Sequence, residues 1–284
     1  KELRVILEEF GDKRRCQITS DVISAQAFSD QDMMPAENVT VVLSEKGWVK
    51  AAKGHEIDSS ALNYKSGDAF LKEAKGRSNK MAFFIDSSGR SYTLLANSLP
   101  SARGQGEPLT GRLTPPIGAE FIDVVMGDDE QLVILSSDAG YGFISTLGDL
   151  QSKTKSGKHA ITLSKEAKTM RLTKVQNLES DYLAVITNRA RLLIFQVSEL
   201  PQLSKGKGNK LINIKTDDFV AKEEFLIGLC IIKENQKLRV EYGNGKKHKQ
   251  YSFSDLVNFT SHRARKGLTV PGVHGKALGI DAID

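Results

Sequence analysis

MAFFIDSSGRSYTL, residues 81–94, decides how the rest of the chain is read. An apolar run enters a Ser/Asp/Gly turn, and a second run with alternating apolar and polar residues leaves it, the pattern of a tight β-hairpin. The plan recurs in VTVVLSEKGWVKAA (39–52), QLVILSSDAGYGFI (131–144), YLAVITNRARLLIF (182–195) and KLRVEYGNGKKHKQYSF (237–253). The turns carry Gly47, Gly89, Gly140, Ala190 and Gly245, at steps of 42, 51, 50 and 55 residues.

A second shared element follows each hairpin. A leucine leads a polar loop into another strand in LPSARGQGEPL (99–109), LQSKTKSGKHAITL (150–163), LPQLSKGKGNKLINI (200–214) and LVNFTSHRARKGLTV (256–270), with a looser first copy, LNYKSGDAFL (62–71). Gly67, Gly106, Gly157, Gly208 and Gly267 align within it. A β repeat of about 50 residues used five times predicts an all-β, five-bladed, propeller-like ring in which each blade buries its faces on its neighbours. Period-two patterning argues against a helical solenoid. The expected divisions are a lead-in at 1–38, the bladed domain at 39–275 and a tail at 276–284. Within the lead-in, LRVILEEFGDKRR reads as a helix end running into a connecting strand.

Composition sets outer bounds. The 284 residues are 39% hydrophobic and 26% charged, which suits a globular chain with a real core. The formal charge is only +5, so it matters for partners only if concentrated on one face. Cys16 and Cys230 are too far apart and too few for a disulfide framework, which points to a reducing cytoplasm. No apolar run reaches the roughly 18 residues of a membrane span, and no signal peptide is visible. The first residue is Lys, as expected for a fragment of a longer protein.

Charge is concentrated in the recurring loops. Lys65 is offset by Asp68 and Arg103 by Glu107, but the later loops carry Lys153, Lys155 and Lys158, then Lys205, Lys207 and Lys210, then Arg263, Arg265 and Lys266, with no acid. At equivalent places on successive blades, these cations would form an arc that follows a bent duplex through its phosphates. The alternative is a set of solvated loops whose lysines keep strand edges from aggregating. SKGKGNK (204–210) is no nucleotide cradle, because Gly206 and Gly208 are two apart and no Ser or Thr follows Lys210. RGQGEP (103–108) offers G-x-G, but Leu109 fills the third glycine's slot. The five histidines lack metal-ligand spacing, Asp128, Asp129 and Glu130 read as a solvated turn, and packing accounts for Trp48, Tyr92, Tyr141 and Tyr182. No catalytic constellation emerges.

SEKGWVKAAKGHEID, DSSGRSY, LPSARGQGEPLTG, SDAGYGF and LPQLSKGKGNK together resemble the C-terminal domains of bacterial topoisomerase IV A subunits, over almost the whole chain and more weakly after about residue 215. EEFGDKRR is similar to the stretch that follows the coiled-coil gate in type IIA topoisomerase A subunits. The resemblance implies a β-pinwheel whose blades exchange strands and whose rim binds bent double-stranded DNA. It also implies a bacterial, cytoplasmic, chromosome-associated assembly in which two A subunits work with the ATPase B subunit. The magnesium and ATP sites and the nucleophilic tyrosine of that family lie in other domains, so no cofactor is expected here. Gyrase A subunits share the fold and carry Q-R-R-G-G-K-G on the first blade; LNYKSGDAF (62–70) lacks it, which favours topoisomerase IV over gyrase and speaks against full chiral wrapping. A protein-interaction propeller of the WD type is the third reading, although W-D and G-H signatures are missing.

Overall fold

The computed structural model describes residues 2–11, 36–245 and 247–283. Two compact units divide at residues 34 and 35. In the first, Glu2–Phe10 is a helix, the helix end expected from sequence, and its side chains are exposed. The connecting strand expected after it lies outside the described residues.

All five hairpins form in the second unit. They join Asn38–Ser44 to Trp48–Lys53, Met81–Asp86 to Arg90–Leu95, Leu132–Ser136 to Tyr141–Thr146, Tyr182–Thr187 to Arg191–Gln196 and Lys237–Tyr242 to Lys247–Ser252. The turn residues share a left-handed backbone, and Ala190 adopts it (φ 55°) where the other repeats place glycine. Each first strand also pairs, antiparallel, with an inner strand: Phe70–Arg77, Phe121–Met126, Thr173–Lys174, Leu226–Ile232 and Ala277–Ile283 in turn. The last of these corrects the reading of 276–284 as a tail. Ala277 and Ile280 are buried on either side of a register shift, while the strand's backbone completes the ladder along Lys237–Tyr242.

The outer edges show how the repeats interlock. Glu107–Pro108 pairs with the second strand of hairpin one, Lys158–His159 with that of hairpin two, Asn209–Lys210 with hairpin three and Leu268–Thr269 with hairpin four. Each two-residue strand therefore comes from the loop that follows the next hairpin. Among the described residues the result is four four-stranded sheets and one three-stranded sheet, numbered one to five in chain order.

Successive sheets stack face to face, so one strand feeds two cores. Ala82 and Phe84 pack with Val41, Leu43 and Val49 of sheet one, while Phe83 and Ile85 pack with Val133, Leu135 and Phe143 of sheet three. Leu183, Val185, Leu193 and Phe195 then meet sheet three, and Ala184, Ile186, Leu192 and Ile194 meet sheet five. Burial on both faces is why these strands read as unbroken apolar runs. The inner strands of all five sheets line one cavity of ≈ 1050 Å³.

Loop one departs from the series. Among the described residues no sheet precedes sheet one for it to seal, and it lies against sheet one itself. Thr40 Oγ1 donates to the Gly54 carbonyl, and the buried Lys50 ammonium donates to the Asn63 carbonyl and lies 3.8 Å from the Tyr64 ring centre. Burial lowers the pKa of Lys50, partly countered by Asp68.

Two outcomes follow from this packing. A Cβ on Gly208 (φ 73°) would overlap the Gly142 carbonyl, so Gly208→Ala should cost about 2–4 kcal/mol in urea unfolding. Gly104→Ala, where nothing lies within 4 Å, should stay within about 0.5 kcal/mol of wild type. Asp123 is fully buried, and burial pushes its carboxyl up to about 6, against the pull of Lys72 and the N–H groups of Leu172 and Val124. The folded state therefore holds this proton more tightly than the unfolded chain does. Its stabilising effect is full below about pH 4 and is lost as pH rises through 6, about 3 kcal/mol in all. Asp123→Asn should remove that component of the pH dependence; an unchanged slope between pH 4.5 and 7 would contradict the assignment.

Candidate nucleic-acid interface

The loop glycines bring the chain across to the neighbouring sheet. Gly106, Gly157, Gly208 and Gly267 all have positive φ, and a side chain on any of them would strike the second hairpin strand of the previous repeat, at Val49, Tyr92, Gly142 and Leu192 respectively. Gly67 has positive φ but faces only the Lys46 side chain, consistent with the separate path of loop one. Loops two to five thus occupy equivalent outer edges of sheets one to four.

Consecutive loops also touch. Thr114 N–H donates to the Lys155 carbonyl (2.8 Å), Thr162 N–H to Gly206 (2.8 Å), and Asn213 N–H to Arg265 (2.9 Å). The cations of loops two to five consequently lie on one connected ribbon of backbone. Arg103, Lys153, Lys155, Lys205, Lys207, Arg265 and Lys266 are exposed on it. Arg112, which lies just outside the loop series legible in the sequence, joins Lys153 and Lys155 around a ≈ 320 Å³ hollow between loops two and three.

Three of the expected cations are half-buried and serve the loops themselves. Lys158 donates to the Asp149 carbonyl. Lys210 donates to Asn213 Oδ1 at 3.1 Å, and Arg263 Nε to the Glu199 carbonyl at 3.0 Å. Lys65 is exposed, 4.9 Å from the Trp48 ring centre, but stands on loop one, outside the ribbon.

The acids also differ from the sequence reading. Asp68 accepts from Ser44 Oγ and the Lys46 N–H, stapling the first turn, and is no partner of Lys65. Glu107 bridges to Arg112 at 3.0 Å, leaving Arg103 without that counter-charge. Glu199, from the end of hairpin four, lies against loop five, where it accepts from the Arg263 N–H and sits 3.5 Å from His262. Loop five is therefore less purely basic than its own residues suggest.

Asp128 pairs with Lys80 at 2.9 Å, as befits a surface turn. Burial pushes the Cys230 thiol up to about 12, so it is no nucleophile at neutral pH. Among the described residues no cluster of His, Cys, Asp and Glu could hold a metal, and no helix is long and apolar enough to cross a membrane. Among the described residues the ribbon offers exposed cations beside glycine-bared backbone, the donor types that phosphate contacts use.

Comparison with known proteins agrees with this geometry. The family described as DNA gyrase C-terminal domain, beta-propeller, matches residues 131–175 and 181–222. The A subunit of DNA topoisomerase 4 from Pseudomonas aeruginosa is 48% identical over 271 residues, 95% of this chain and 36% of that protein. The Escherichia coli K12 protein of the same name is 44% identical, over 96% of this chain and 36% of its own length. The chain therefore spans little more than a third of these curated relatives. The solved E. coli ParC C-terminal domain superposes with a TM-score of 0.78 at 43% identity, covering 87% of this chain and 99% of that one. A DNA gyrase A C-terminal domain, at 16% identity and a TM-score of 0.62, shares the fold and covers 87% of this chain and 83% of its own. With 43% identity and near-complete coverage of that solved relative, the chain belongs to the C-terminal domain family of topoisomerase IV A subunits.

Proposed function

We propose that the five sheets are the blades of a five-bladed β-pinwheel that binds double-stranded DNA along its outer rim and bends it. The observation that carries this reading is the ribbon of loops two to five, which sets exposed cations beside strand-exchange glycines on four successive sheets. In a complete topoisomerase IV, such a domain would hold a curved transport segment for decatenation and supercoil relaxation. Bond chemistry, ATP and Mg²⁺ would belong to other domains and to the B subunit, with a second A subunit completing the enzyme. This domain would take no cofactor, and its place would be the bacterial chromosome in the cytoplasm. Loop one, spent on covering sheet one, supports weak chiral wrapping in comparison with a gyrase domain. Little writhe should therefore be trapped when nicked circles are religated with this chain bound.

Binding should be chiefly electrostatic. With about six phosphates neutralised, duplex affinity should fall roughly a thousandfold between 50 and 200 mM salt. A flat salt response would sink the rim reading.

Loops on the ribbon should also outweigh loop one. Lys205 and Lys207 stand two residues apart on one exposed loop, where a Debye length of about 8–10 Å lets their potentials add, while Lys65 is on loop one, outside the ribbon. Lys205→Ala/Lys207→Ala should thus weaken binding more, per residue, than Lys65→Ala, at matched salt and with fold checked by circular dichroism. Each neutralised contact should lower the salt slope by about one. A larger loss in the second variant would move the main contact to the first blade.

A further inference from the structure

The residue that opens the second strand of a hairpin stands against the loop arriving from the next repeat. In sheet two, Arg90 Nη1 donates to the Ser156 carbonyl at 2.9 Å. In sheet three, the Lys207 ammonium lies 4.1 Å from the Tyr141 ring centre. Ser156 and Lys207 each directly precede a loop glycine.

Arg191 holds this position in sheet four and reaches two loops at once. Its guanidinium is buried and paired through Nε and Nη2 with the buried Glu224 carboxylate, which also accepts from Thr187 Oγ1 at 2.9 Å. Burial alone would raise the Glu224 carboxyl, but the bonds from Arg191 and Thr187 hold it below the usual range. Two further guanidinium N–H groups donate to the Lys266 carbonyl in loop five and to the Asn213 carbonyl near the end of loop four (3.3 Å). The same two segments are stitched by Asn213 N–H to Arg265 and Ala264 N–H to Leu211 (2.8 Å), and Asn213 Oδ1 accepts from Lys210. A planar fork can satisfy a carboxylate and two carbonyls together; a lysine ammonium cannot reproduce that geometry.

We propose that Arg191, held by Glu224, is a positioning residue that makes loops four and five a single phosphate-contacting unit. Its own charge is neutralised and withdrawn from the duplex. The effect on DNA passes through the placement of Lys207, Arg265 and Lys266. This inference rests on the DNA-binding reading above.

The test measures duplex affinity against salt for the 284-residue chain, for Arg191→Lys, and for Arg191→Met/Glu224→Met. The double variant leaves no buried charge uncompensated, so the fold should persist, as circular dichroism and melting would verify. With the loops no longer pre-ordered, affinity should drop about three- to tenfold. The salt slope should stay at the wild-type value, because every phosphate-facing cation is still present. Arg191→Lys should show a loss in the same direction. If the double variant melts below the assay temperature, Arg191→Lys decides alone. A folded variant with wild-type affinity would overturn the proposal, as would a slope lower by about one, which would place Arg191 itself on a phosphate. Failure of the wild-type chain to bind duplex with salt dependence is a separate result and would remove the DNA reading itself.

Discussion

The contact on which the rest depends is the close approach of a loop backbone to the strand of another repeat. At Gly106, Gly157, Gly208 and Gly267 there is no room for a side chain, and the backbone turns left-handed as it docks. Two residues of ladder follow each glycine, a small amount of pairing in itself. Its effect is large because it caps a sheet edge that would otherwise stand open and fixes the adjoining loop at that edge. Core packing between sheets would stack the repeats without it; this docking, with the parallel bridges Ala51–Ser101, Ile144–Gln202 and Ile194–Thr260 at the starts of loops two, four and five, places equivalent loops at equivalent edges.

Rim and core divide the labour cleanly. The hairpin strands of sheets two to four are largely buried on both faces, so they tolerate little variation in size. Variation falls on the loops, whose half-buried members (Lys158, Lys210 and Arg263) stiffen the backbone and whose exposed members remain free to meet an anion. Shape is thereby set by apolar contacts and charge by side chains that play no part in folding. A domain built this way can change its charge along the rim without changing its architecture.

Much of this is legible in the sequence, for physical reasons that differ by element. Hairpins announce themselves because turn glycines and apolar runs are local signals. Even the left-handed Ala190 can be found, since its neighbours supply the pattern. The loops stand out as a series, but sequence gives no sign of which sheet each one joins, and nothing local marks loop one as a segment that covers a face. Ala277–Ile283 reads as a tail for want of flanking signals. Charge pairing is hardest to read, because neighbours in sequence need not be neighbours in space: Glu107 belongs to Arg112, and Glu199 reaches loop five across 64 residues. Arg90, Tyr141 and Arg191 are within reach of sequence, because each directly follows its turn glycine or alanine, and the repeat alignment exposes that column.

The exchange of outer strands also imposes an order on biosynthesis. As the chain leaves the ribosome, each hairpin is complete 54 to 72 residues before the strand that seals it begins, so the newest sheet always carries a bare edge. Sealing one sheet requires that the next hairpin already exists, and the growing domain passes a single open edge forward along its length. Among the described residues, the three-stranded sheet at the end is where that hand-off stops. Its last hairpin strand, rich in exposed Lys247, His248 and Lys249, carries the charge that keeps an unsealed edge from pairing with a neighbouring nascent chain.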